Sequence, residues 1–196
     1  MKRFSIFTSL SAVLACCLLP AAALAHTGVG HTTGFAAGFS HPLGGADHML
    51  AMVAVGLWAA QMGGRATWVV PGAFVSMMLV GGMFGVSGVQ IPFNEQGILL
   101  SVLVLGLLIA GAARLPLMIS GIVVGLFAVY HGHAHGAEMP LAMGALSYSA
   151  GFALATTLLH AAGIASGFGL QQLHFEKLTR YAGGTIALGS VYLAVF

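Results

Sequence analysis

Charge is scarce in this chain. Lys and Arg together number 6, and Asp and Glu 4, among 196 residues. That is 5%, where a soluble domain carries about 25%. So little charge cannot cover a water-facing surface, which excludes an ordinary soluble fold. The net charge of +2 and the lack of any basic cluster exclude a nucleic-acid partner. Lysine occurs only as Lys2 and Lys177, and neither follows a Gly-rich loop, so P-loop nucleotide hydrolysis is excluded too. The two cysteines, Cys16 and Cys17, both fall in the N-terminal apolar run and say nothing about disulfides in a mature chain.

What is present is apolar. Hydrophobic residues make up 59% of the chain and the mean hydropathy is +1.00. Apolar runs of about 20 residues recur, each long enough to cross a hydrocarbon layer. The expected fold class is therefore all-α, a polytopic helical membrane protein with the lipid bilayer as its main surroundings. A homo-oligomer is compatible with this reading.

Residues 1–25 read as a cleavable signal peptide. Lys2 and Arg3 precede an apolar stretch, Pro20 breaks it, and Ala23-Leu24-Ala25 forms an A-x-A site. An uncleaved first helix is the alternative. Cleavage leaves His26 at the mature terminus, followed by a Gly-rich stretch ending at His31. That stretch is either a flexible terminus or an arm that gathers metal through His26 and His31.

Six apolar segments follow, at about 42–62, 66–88, 95–112, 115–135, 140–165 and 176–196. A short half-helix is weighed ahead of the first. Six transmembrane helices place Arg65, Arg114, Lys177 and Arg180 on one side, and Glu95 and Glu138 on the other. That is the positive-inside distribution of a bacterial cytoplasmic membrane protein, with both mature termini external. Glycine is abundant, and pairs such as Gly34/Gly38, Gly81/Gly85 and Gly121/Gly125 predict close helix contacts.

Two stretches break the apolar pattern. YHGHAHGAE at residues 130–138 places His131 and His135 on one helical face, which Glu138 extends, while His133 points elsewhere. HPLGGADH at residues 41–48 supplies His41, Asp47 and His48. The topology puts both at one depth on the outer side. Imidazoles with carboxylates suit a borderline divalent ion such as nickel, cobalt or zinc. A straight helix would hold His41 and His48 about 10.5 Å apart. Either the backbone breaks near Pro42 and Gly44-Gly45, or the two histidines serve different stations. Asp47 and His48 are adjacent, so one is expected to bind and the other to orient it. His160, expected at the inner end of the fifth segment, reads as an exit-side ligand or as a packed histidine.

These two motifs resemble those of the HupE/UreJ family of nickel/cobalt permeases. HPLGGADH is similar to that family's first-helix signature, and YHGHAHGAE to its FHGxAHGxE signature, with Tyr130 at the aromatic position. The resemblance implies a membrane metal-permease domain over residues 26–196 that imports Ni²⁺ or Co²⁺, with Zn²⁺ a weaker candidate, for enzymes such as hydrogenase or urease. It implies that His41, Asp47, His48, His131, His135 and Glu138 carry the ion. His133 falls at the motif's variable position.

The expectation is thus a secondary transporter, not an enzyme, with a divalent metal ion as substrate and no resident cofactor or nucleotide. An intramembrane zinc-dependent hydrolase and a metal sensor that moves no ion are the rivals.

Overall fold

The computed structural model describes residues 34–139 and 144–196. The signal-peptide reading at 1–25 and the proposed arm with His26 and His31 lie outside them. Among the described residues the secondary structure is wholly helical: α1 (Gly34–Ser40), a 3₁₀ turn (His41–Leu43), α2 (Ala46–Met62), α3 (Ala66–Val86), α4 (Asn94–Ala110), α5 (Leu117–Ala137), α6 (Ala145–Gln172) and α7 (Glu176–Val195). Each of the six expected segments coincides with one helix from α2 to α7.

Three helices, α3, α5 and α6, are long and apolar enough to cross a membrane. The pair Gly34–Leu43 and Ala46–Met62 adds a fourth crossing if taken as one bent span. α4 is apolar but has 17 residues. α7 has 20 residues and opens on Glu176-Lys177.

The surface is that of a molecule immersed in lipid. Trp68, Met118 and Leu188 are 78%, 76% and 72% exposed. The interior holds Trp58, Phe74, Met52 and Met78, together with buried histidines, serines and threonines. Lipid tails are as apolar as leucine, so helix association here rests on van der Waals contact and interhelical hydrogen bonds.

Glycine makes that contact possible. α3 packs closely on α5. A methyl group at Gly81 would strike the backbone of Val129, and one at Gly132 the carbonyl of Met78. Gly85 and Gly136 are pressed against opposite backbones in the same way. The expected pair Gly81/Gly85 thus lies at a close crossing. Gly121/Gly125 does not, because it faces only the side chains of Ala73 and Met77. Across the crossing, Gly81 and Gly85 face the backbone of Val129 and His133, while Gly132 and Gly136, inside the histidine motif, face that of Met78 and Gly82.

Three side chains close the C-terminal end of α4 and the turn after it. Gln61 Nε2 donates to the Ile109 carbonyl at 3.1 Å, Arg180 Nε to Ala110 at 2.8 Å, and Trp58 Nε1 to Ala113 at 2.9 Å. The last carbonyls of a helix have no partner within it, so donors from α2 and α7 serve instead.

Candidate metal centre

The first motif is a break in the chain. α1 ends at Ser40, Pro42 sits in the 3₁₀ turn, and Gly45 caps α2 in an extended conformation (φ −109°, ψ 126°). The helices on either side meet at 82°. Proline at a helix start and two glycines after it favour this arrangement. Of the two alternatives left by the spacing of His41 and His48, the chain adopts the backbone break.

The consequence is that both histidines reach the same neighbour. The His135 ring lies 4.7 Å from that of His41 and 4.1 Å from that of His48, centroid to centroid. His48 is also 4.7 Å from His131. His131 and His135, one turn apart on α5, share the face that meets the break. Glu138 Oε2 lies 3.1 Å from His41 Nε2. His41, His135 and Glu138 each offer a ligand atom, all within 4.8 Å of one another. His131 and His135 are 0% and 5% exposed, and His48 9%.

Hydrogen bonds determine which nitrogens remain available. Asp47 Oδ1 accepts from the His48 backbone N–H at 2.8 Å and from its Nδ1 at 2.9 Å. A carboxylate only accepts, so Nδ1 carries the proton and Nε2 keeps its lone pair. That Nε2 is buried and has no hydrogen-bond partner. Asp47 thereby orients His48.

Ser101 does the same for His131. Its Oγ lies 2.6 Å from the Ile98 carbonyl and 2.8 Å from His131 Nε2. The hydroxyl has one proton and gives it to the carbonyl, so it must accept from Nε2–H. His131 Nδ1 is left bare, buried and unpartnered. Neither nitrogen of His135 has a partner. Replacing Ser101 by alanine is expected to weaken divalent-metal binding about tenfold, the usual cost of losing a group that orients a histidine ligand. Isothermal titration of the purified protein checks this, and affinity equal to wild type would refute the orienting role.

The other histidines differ. His133 turns away, as its helical position predicts, and its Nε2 donates to the Val89 carbonyl at 2.7 Å. His174 lies between α6 and α7 at φ +60°. His160 requires a correction. α6 runs from Ala145 to Gln172, past the expected end of the fifth segment, so His160 stands in mid-helix rather than at the inner end. It is 1% exposed.

Several residues at the centre escape a reading of the sequence. Glu95, taken as a loop charge, lines one polar cleft with Ser40, His41, Asp47, His48 and Glu138. Phe152 and Tyr148 pack their rings on His135 and His41 at 4.1 and 5.8 Å. Phe74 packs on His131 at 5.6 Å. Ser101 alone leaves a trace in the sequence, as a hydroxyl in an otherwise aliphatic run. Aromatic residues in an apolar helix leave none.

Comparison with known proteins agrees with the motifs. A family model described as HupE / UreJ protein matches residues 14–193. Protein HupE of Rhizobium leguminosarum bv. viciae is 46% identical over 199 residues, covering 100% of both chains. No solved structure matches the chain.

Proposed function

Since this chain belongs to the HupE/UreJ family, we propose that it is a permease importing nickel or cobalt ions across the bacterial cytoplasmic membrane. One observation supports this reading above the rest. His48 Nε2, His131 Nδ1 and both nitrogens of His135 are buried without partners, on rings 4.1 to 4.7 Å apart. Buried polar atoms in native proteins are nearly always paired. Orphaned imidazole nitrogens in one cluster are the donor set a borderline divalent cation takes.

In this reading the six helices from α2 to α7 each cross the bilayer, and α1 re-enters with the break. Arg65, Arg114, Lys177 and Arg180 face the cytoplasm. The ion enters through the cleft beside Glu95 and Glu138, whose carboxylates draw cations from water. It sheds hydration stepwise onto His41 and His135, then onto His48 and His131. Asp47 offsets the ion's charge at depth, where an unpaired ion is expensive. An inside-negative potential favours entry by about 4.6 kcal/mol per 100 mV for a doubly charged ion, twice the single-charge value. Import then needs neither a nucleotide nor a chemical reaction, so the protein acts as a transporter and not as an enzyme.

The test is uptake of radioactive nickel and, separately, cobalt into proteoliposomes. Wild type and His48→Ala are compared at equal reconstitution. Saturable uptake by wild type, lost in the variant, is expected, and the faster ion names the substrate. Metal binding without uptake of either ion would replace transport by a fixed metal site.

A further inference from the structure

Away from this cluster stands one more buried imidazole without a partner. Neither Nδ1 nor Nε2 of His160 makes a hydrogen bond. A neutral imidazole is one donor and one acceptor, and leaving both unmade in an apolar interior costs free energy. Packing alone would be better served at this position by leucine or phenylalanine.

Its surroundings suggest what it serves. The Phe74 ring lies 5.6 Å from His131 and 5.2 Å from His160, so a single aromatic side chain touches both the outer cluster and His160. On α6, Tyr148, Phe152, Thr156 and His160 recur every fourth residue and share one face. In turn they meet His41, His135, the Met78 sulfur and Phe74. This stripe leads inward from the outer cluster for about 18 Å along the helix.

His160 also lines a groove with Thr67, Pro71 and Ser76 of α3. Pro71 lies inside α3 and has no N–H, so the Thr67 carbonyl loses the donor that would have bonded it four residues on. An oxygen freed in this way is the kind of ligand that interrupted helices offer to ions in transporters.

The geometry points to a second, inner station for the same divalent cation, built from the His160 imidazole and the Thr67 carbonyl, with Phe74 touching both it and the outer cluster. This rests on the permease reading. An ion leaving the outer histidines passes the Phe74 ring and exchanges ligands onto His160. It departs inward, toward the Arg65 end of α3. Two protein ligands hold it weakly, which suits release, since conduction requires sites an ion can leave.

Nickel binding to the detergent-purified full-length protein, paired with nickel uptake into proteoliposomes, tests this in wild type, His160→Leu and His160→Cys. Wild type is expected to bind a second, weaker nickel ion that His160→Leu lacks. The affinity of the outer ion should stay within about threefold while uptake falls about tenfold or more, as for loss of one ligand in a series. His160→Cys, which restores a metal ligand, should recover the second ion and much of the uptake. Unchanged uptake in His160→Leu would overturn the station. So would loss of the outer ion together with thermal stability, because that is what a purely structural histidine would show. A wild type that binds both ions but moves neither would sink the permease reading and leave the inner station standing.

Discussion

Nickel binding and nickel uptake are both expected to collapse when His135 is replaced by alanine. His135 contacts both halves of the broken first motif, through the rings of His41 and His48. It also stands within ligand distance of Glu138, and neither of its nitrogens is used by the protein. Removing it takes an imidazole from the centre of the cluster and leaves the others facing a void. The expected loss of affinity is about a hundredfold, or about 2.8 kcal/mol. His133→Ala is the control, two residues away on the same helix. Its Nε2 is bonded to the Val89 carbonyl, so nickel affinity should stay within about threefold, inside ordinary mutational scatter. Equal losses in the two variants would show that the motif acts through folding and not through ligation.

The second large effect concerns stability. Gly132→Ala adds one methyl group where α5 meets α3. That methyl would run into the Met78 carbonyl and come within 2.8 Å of the Gly82 amide nitrogen. Both obstacles are backbone, so no rotamer change relieves them and the two helices must part. The cost should reach the upper end of the overpacking range, about 3 kcal/mol. Parting α3 from α5 also displaces His131 and His135, so metal binding should fail along with the fold. Gly121→Ala gives the contrast on the same helix. Its nearest neighbour would be Ala73 Cβ at 3.9 Å, and alanine is the better helix former by about 1 kcal/mol. Thermal melts in detergent should show a large drop for the first variant and none for the second. Equal melting temperatures would mean that the crossing is looser than its geometry implies.

Much of this was legible in the sequence because lipid imposes simple rules. Apolar runs bounded by Gly, Pro and charge marked the helices from α2 to α7, since backbone groups in hydrocarbon must be satisfied within a helix. The two His-rich motifs stood out because ionisable residues are costly at that depth. Pro42 and Gly44-Gly45 announced a break, although its 82° angle depends on how α1 packs against α6, which no local pattern encodes. The pairing of Ser101 with His131 spans 30 positions and follows from how α4 meets α5. Phe74 was hidden for another reason. A phenylalanine in an apolar helix looks the same whether it faces lipid or touches two imidazoles. The length of α6 was misjudged because its polar end, Gln171 and Gln172, continues the helix. Gln171 reaches the Ala60 carbonyl at 3.0 Å, so the chain stays ordered past its apolar stretch.

The closed end of α4 has a consequence for the surrounding bilayer. Seventeen residues extend about 26 Å, short of a hydrocarbon core of about 30 Å. A helix of that length usually obliges the lipid to thin around it, at a cost that grows with each ångström of mismatch. Here Gln61, Arg180 and Trp58 take the carbonyls that water or headgroups would otherwise have to reach. In the proposed arrangement, where α4 and the equally long α2 both cross the bilayer, the lipids beside α4 can keep their resting thickness, and the protein is relieved of the preference for thin membranes that so short a crossing would impose.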